Sequence, residues 1–242
     1  MKYNIDSFKR GLAELNIELP ESSYEQFILF YDMLIEKNKV MNLTGITEWE
    51  DVVTKHFLDS LSLVKYFGNM TDVSYSIIDV GTGAGFPGIP LKIAFPNLNV
   101  TLLDTLNKRV LFLQSVIDEL GLKNIQAVHA RAEDLAFNKE YREGFDIAVS
   151  RAVANLSVLN EYCLPFVKQN GYFISYKACD VNSEEIISGQ NSIKVLGGSL
   201  DKDISFELPY TDMHRLLYGI KKIKPTPKMY PRKPAVIKKE PL

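Results

Sequence analysis

Cysteine is nearly absent from this chain of 242 residues: only Cys163 and Cys179 occur, and neither lies in a Cys-x-x-Cys pattern. That excludes a disulfide framework and leaves no zinc pattern, so no metal site is expected. Both are read as small apolar side chains in a reducing compartment. The sequence also lacks any apolar run of about eighteen residues, so no membrane span is expected. Its first residues, MKYNIDSFKRGLAEL, lack the apolar stretch of a secretory signal. The expectation is therefore a cytoplasmic protein, and a monomer. No internal repeat or low-complexity segment is present. A length of 242 residues suffices for one α/β core with a smaller appendage.

Charge is present in both signs but unevenly placed. The formal net charge is −2, yet residues 215–242 hold nine Lys or Arg and a single acid, Glu240. The remainder carries 19 basic and 29 acidic residues. A basic tail on an acidic body fits a polyanionic partner at one edge, and equally a solvated terminus whose lysines only maintain solubility.

Apolar spacing divides the chain. Tyr24, Phe27, Ile28, Tyr31, Leu34 and Ile35 recur at three and four residues, the period of an amphipathic helix. Phe8, Leu12 and Leu15 form a shorter stripe, and residues 50–66 a third segment. Between the second and third lies the turn-rich Asn42-Leu43-Thr44-Gly45. From residue 76 strands and helices alternate. Strands are expected at 76–80, 100–103, 125–129, 145–150 and 171–177, and helices at 88–94, 108–120 and 155–167. Segments 193–196, 206–208 and 214–223 are candidates for strands that close the sheet. Such alternation predicts a mostly parallel sheet with helices on both faces. The expected organisation is an N-terminal helical extension (1–70), an α/β core (71–223) and a basic, proline-rich tail (224–242) that is extended.

The stretch IIDVGTGAGFPGIP carries the most chemistry. Four glycines fall within Gly81–Gly88, directly after a buried strand ending at Asp79-Val80. In a doubly wound sheet that loop faces the ligand crevice, and glycines let a ligand approach the main chain. Asp104 ends the next strand, where a carboxylate can accept hydrogen bonds from both hydroxyls of a ribose. Two ligands fit. Gly83-x-Gly85-x-x-Gly88 formally matches the dinucleotide fingerprint. Gly81-x-Gly83-x-Gly85 led by Asp79 suits a cationic nucleoside such as S-adenosylmethionine, because an acid beside a pyrophosphate is unfavourable. Arg131-Ala132-Glu133-Asp134, after the third strand, would supply the polar edge for its adenine.

The sequence resembles a known family at this point. DVGTGAGFPGIPL, with NLT and HFLDSL upstream, then DTLNKRVLFL, SRAVANL and a terminal YPRK, is similar in order and wording to bacterial ribosomal RNA small-subunit methyltransferase G, also called glucose-inhibited division protein B. The resemblance runs from about Asn42 to the tail. It implies a Rossmann-like class I methyltransferase fold with a seven-stranded sheet, S-adenosylmethionine as methyl donor, and methylation of a guanine N7 in the 530 loop of 16S rRNA. By position it puts cofactor contacts at Gly81, Phe86, Asp104, Ala132, Glu133 and Arg151; Asp79, Gly83 and Gly85 belong to the same loop. One departure stands at the tail, where YPRKPAVIKKEPL has no glycine-x-proline after YPRK.

Candidates for gripping the RNA are Asn42, His56, Asp59, Arg151 and Lys177, with Arg232 and Lys233 from the tail. Arg151 closes the fourth strand and is the catalytic candidate. His56 and Asp59 lie three apart and share a helix face, which serves either base binding or attachment of the helix to the sheet. Guanine N7 has a free lone pair, so no general base is required. Three other readings remain at this level: a nicotinamide-dependent oxidoreductase on the same glycines, a noncatalytic RNA-binding protein, and a small-molecule methyltransferase. The partner expected is 16S rRNA or the small ribosomal subunit.

Overall fold

A computed structural model describes residues 2–151, 154–178 and 183–242. The N-terminal helices are α1 (Asp6–Glu14), α2 (Glu21–Met41) and a broken run of α3 (Trp49–Val52), a π-helical turn (Val53–Leu58), α4 (Asp59–Leu61) and α5 (Val64–Phe67). Then follow β1 (Ser76–Val80), α6 (Gly88–Ala94), β2 (Asn99–Asp104), α7 (Asn107–Glu119), β3 (Ile125–His129), α8 (Ala132–Leu135) and β4 (Phe145–Ser150). The last part holds α9 (Leu156–Cys163), a 3-10 turn (Leu164–Phe166), β5 (Val167–Ala178), α10 (Ser183–Val195), β6 (Gly198–Glu207), β7 (His214–Lys222) and α11 (Pro234–Lys239).

The strands form one seven-stranded sheet of order β3-β2-β1-β4-β5-β7-β6. β1 to β5 run parallel, and β7 is antiparallel to both β5 and β6. The chain moves outward from β1 to β3, then returns to β4 on the other side of β1. That reversal opens the ligand crevice beyond the carboxyl ends of β1 and β4.

Side chains alternate across the central strands and so feed two apolar layers. Ile77, Ile147, Val149 and Ile174 point into the layer formed with α2, α6 and α7. Ile78, Ala148 and Phe173 point into the layer formed with α9. The N-terminal helices share the first layer. Phe57, fully buried, touches the rings of Phe8, Phe27, Phe30 and Trp49, and also Phe86 of the glycine loop. Aromatic packing thus fastens the helical extension to the loop that faces the crevice.

Four expectations needed correction. The helix anticipated over 155–167 ends at Cys163, because Pro165 lacks the amide a continuing helix requires, and Val167 already pairs with Phe145. Residues 193–196 belong to the end of α10 and the turn after it, not to a strand. The edge strand β6 starts at Gly198, well before 206, although Asp201, Lys202 and Asp203 break its apolar alternation. Charged side chains on an edge strand discourage pairing with other chains. The tail is also not simply extended, since it contains α11.

Part of the basic surplus at the C-terminal end is consumed inside the molecule. Lys222 is fully buried; its Nζ donates to the Leu164 and Val167 carbonyls and to Thr226 Oγ1, with Glu143 at 3.1 Å. Burial pushes its pKa down to about 8. Arg215 and Arg232 are likewise engaged with buried acids.

Phe57→Ala is expected to cost about 3–5 kcal/mol, as for other large buried aromatics. The check is the midpoint of urea unfolding, which should fall at nearly constant slope; a midpoint equal to wild type would contradict the role given to Phe57.

Candidate functional site

The glycine loop is shaped from beneath by Asp79. Its carboxylate is fully buried, and Oδ2 accepts hydrogen bonds from Thr82 Oγ1 (2.7 Å) and the Gly88 amide (2.9 Å). Its Oδ1 has no hydrogen-bond partner among the described residues. Burial pushes the Asp79 pKa up to about 6. A Cβ on Gly88 would come within 2.2 Å of Leu102 Cδ2 and 3.0 Å of Asp79 Oδ2. Glycine is therefore required there by close packing. The loop mouth is fixed to β2 by the Gly81 and Thr82 amides, both donating to the Leu103 carbonyl.

Two cavities lie over the crevice. The first, about 570 Å³, is lined among others by Gly81, Leu103, Asp104, Ala132, Glu133 and Ser150. That volume lies within the range of small-molecule sites, roughly 300–1,000 Å³. The Asp104 carboxylate accepts from the Gly83 amide (3.0 Å) and the Leu106 amide (2.8 Å), with Arg109 Nη1 at 3.4 Å. A carboxylate offers about four acceptor positions, so capacity for a ribose hydroxyl remains. Val80, Leu103, Leu159 and Tyr162 provide apolar walls. A carboxylate with spare acceptor capacity beside apolar walls is a set that could hold a nucleoside.

The second cavity, about 520 Å³, is lined by Ile46, Lys55, His56, Asp59, Arg151, Tyr176, Lys177, Ala178, Met213 and Arg215. Four cations and one acid give it a positive character. Ser150 lines the first cavity and the adjacent Arg151 lines the second. The two linings therefore hold consecutive residues at the end of β4.

Arg151 is held from several sides. Nη1 donates to Asp59 Oδ2 (2.9 Å) and to the Lys55 carbonyl (3.2 Å), Nη2 donates to His56 Nδ1 (3.1 Å), and the guanidinium lies 5.0 Å from the Phe86 ring centre. Asp59, buried, also accepts from Arg215 Nε at 3.2 Å. Arginine can only donate, so His56 Nδ1 must accept, which places the ring proton on Nε2. That Nε2–H donates to Thr44 Oγ1 (2.9 Å), and the imidazole stacks on Phe86 at 4.5 Å. Burial, reinforced by the Arg151 charge, pushes the His56 pKa down to about 3. His56 is a neutral brace for Arg151.

The sequence-derived candidates thus separate into groups. Gly81, Asp104, Ala132 and Glu133 line the first cavity. Asp79, Gly83, Gly85 and Phe86 do not: they form the underside and turn of the loop. The charge argument based on Asp79 therefore fails, because its carboxylate is turned into the loop and sealed from the cavity. His56, Asp59, Arg151 and Lys177 converge on the second cavity, where Asp59 is buried and paired with two arginines. Lys177 Nζ donates to the Ala154 carbonyl at 2.8 Å. Asn42 is exposed in a left-handed conformation at the end of α2, beside the loop that positions Thr44. Arg232 is engaged with buried Glu161 and keeps about 20% of its side chain exposed. Lys233 is exposed at the start of α11. Sequence reasoning missed Thr44, Lys55 and Arg215. Thr44 stood inside the NLT motif and carried a signal; Arg215 carried none beyond its charge. Cys179, named among the buried-type cysteines, lies outside the described residues.

The His56 state has a measurable consequence. An unfolded histidine titrates near 6.5, so between about pH 6.5 and 3 the unfolded chain binds a proton that the folded one refuses, and stability falls as pH falls. Asp79 acts oppositely, since its raised pKa favours the folded state as pH drops from 6 towards 4. His56→Gln is therefore expected to lose less stability than wild type between pH 6.5 and 4. Urea midpoints across that range check this; parallel curves for the two proteins would contradict it.

Comparison with known proteins bears on what the two cavities hold. A family model described as rRNA small subunit methyltransferase G matches residues 23–206. The ribosomal RNA small subunit methyltransferase G of Lachnoclostridium phytofermentans is 54% identical over 226 residues, 93% of this chain and 92% of that protein. The protein of the same name from Bacillus subtilis is 48% identical over 239 residues, 99% of each chain. Among solved structures, M. jannaschii TYW2 in complex with AdoMet aligns with a TM-score of 0.53 at 16% identity, covering 68% of this chain and 77% of that one, a likeness of fold. The relatives give no support to the oxidoreductase reading of the glycine loop. With residues 23–206 matched and near full-length relatives at about half identity, the chain belongs to the rRNA small subunit methyltransferase G family, whose methyl donor is S-adenosylmethionine.

Proposed function

We propose that this chain methylates N7 of a guanine in the 530 loop of 16S rRNA, acting as a monomer, with the cofactor in the first cavity and the target base in the second. The observation that carries this reading is that consecutive residues at the end of β4, Ser150 and Arg151, line the two cavities. A nucleoside-sized space with a ribose-accepting carboxylate adjoins a cationic space suited to a splayed-out nucleotide.

S-adenosylmethionine supplies an activated methyl group on a sulfonium sulfur. The protein's own residues do the positioning. Asp104 holds the sugar, and Gly81 and the start of α8 bracket the remainder of the nucleoside. Arg151, fixed by Asp59, His56 and Phe86, stands where the base enters and orients it. Lys55, Lys177 and Arg215 attract the phosphates that flank it. No side chain needs to remove a proton, because N7 is already a lone-pair donor, and neutral His56 at its braced position serves as scaffold. Holding nucleophile and methyl carbon in line can contribute roughly 7–11 kcal/mol. Asn42 and Lys233, both exposed, are proposed as outer contacts to RNA.

Arg151→Ala is expected to lower methyl transfer by roughly 10²–10³-fold, the scale for losing one preorganised donor, while the protein remains folded because Arg215 still neutralises Asp59. Tritiated methyl transfer to small-subunit RNA, with thermal unfolding in parallel, measures both; wild-type turnover would remove Arg151 from the site. The position of the product is tested by mapping methylated guanines in rRNA from cells with and without this protein. A modified guanine unchanged by its loss would overturn the assignment.

A further inference from the structure

The C-terminal segment, whose basic charge first suggested an RNA contact, is built into the cofactor side of the molecule. Pro234 and Lys238 of α11 line the first cavity, next to Tyr162 and Leu159 of α9. Between them Ile237 is fully buried. Tyr230 and Leu242 pack against the apolar layer that contains Leu159.

The attachment is electrostatic as well as apolar. Glu161, on α9 and fully buried, accepts from Arg232 at three donors: Nε to Oε1 (2.9 Å), Nη2 to Oε2 (2.7 Å) and the backbone amide to Oε1 (2.7 Å). A paired fork of this kind is among the stronger hydrogen-bonded ion pairs. If the tail moved away, Glu161 would lose the partner that makes its burial tolerable. At the root of the segment, Arg142 donates to the Thr226, Pro227 and Tyr230 carbonyls at 3.0–3.3 Å. Arg142 follows α8, the helix whose first residues, Ala132 and Glu133, also line the cavity.

We propose that Tyr230–Leu242 forms the outer wall of the cofactor cavity, latched by Arg232 on Glu161, and that this latch sets affinity for S-adenosylmethionine. Pro234 gives the wall an apolar face, and Lys238 closes its rim. The tail then acts on the methyl donor first and on RNA only through residues beyond the wall, such as Lys233. Because coupling between two sites is reciprocal, a bound cofactor must also hold the segment more firmly in place. The inference rests on S-adenosylmethionine occupying the first cavity.

The test is calorimetric titration of the full-length protein with S-adenosylmethionine, beside Arg232→Ala, Glu161→Gln and a chain ending at Pro231. Wild-type binding confirms the premise, and its failure would count against the cofactor site instead of the wall. The latch variants and the shortened chain are expected to bind about tenfold or more weakly, equivalent to about 1.4 kcal/mol, while in the two latch variants, which keep Lys233, affinity for a small-subunit RNA fragment changes by about twofold or less. Pro234→Gly, on the cavity face and away from the latch, is expected to weaken the cofactor by a few fold without altering thermal stability. Hydrogen exchange on the unaltered protein gives an independent reading that requires no variant to fold. Amides of Val236–Lys239 should exchange more slowly when S-adenosylmethionine is saturating. Cofactor affinity unchanged in folded latch variants, a larger loss of RNA than of cofactor binding, or exchange in α11 indifferent to the cofactor would each overturn the proposal.

Discussion

The functional half of the molecule depends on one buried carboxylate. Asp59 accepts from Arg151 and Arg215, which arrive from the end of β4 and the start of β7. Two guanidinium groups so near each other would repel, and a lone buried carboxylate would be expensive. Together the three form a compensated cluster that ties the N-terminal helices to both halves of the sheet. His56 and the Lys55 carbonyl complete it by taking further donors of Arg151. The second cavity owes its shape and its sign to this arrangement.

The first cavity follows a different logic. Its carboxylate, Asp104, is fixed by main-chain amides and keeps acceptor capacity towards the cavity, while Asp79 has turned inward to brace the loop. Two acids at the ends of neighbouring strands thus have opposite tasks. Both are buried, and orientation separates them: Asp79 turns to Thr82 and Gly88 beneath the loop, and Asp104 lines the first cavity.

Much of this was legible in the residues. β1 and β4 fall where apolar runs put them, because buried parallel strands leave near-continuous apolar patterns, and α6 starts where the proline before Gly88 puts it. Gly81, Asp104, Ala132 and Glu133 line one cavity because loop chemistry and strand order together define the crevice. What was not legible is what depends on distant partners. Nothing near Arg232 shows that Glu161, 71 residues away, will claim it, and nothing near Arg215 shows that Asp59, 156 residues away, will do the same. A basic residue looks identical in sequence whether it meets a phosphate or a buried acid.

The helical run from Trp49 to Leu61 is widened by a π-helical turn over Val53–Leu58. Such a turn accommodates one residue more than the ordinary helical path between the same two ends. An ordinary turn in its place would shift the register by one position and swing the following side chains by about 100° around the axis. His56 would then leave the face of Phe86, and Asp59 would no longer look towards β4. The widened coil is what lets a single continuous segment present its imidazole to the loop and its acid to the sheet. Insertions or deletions between Trp49 and Leu61 would therefore be far less tolerable than substitutions at the exposed ends of the same segment.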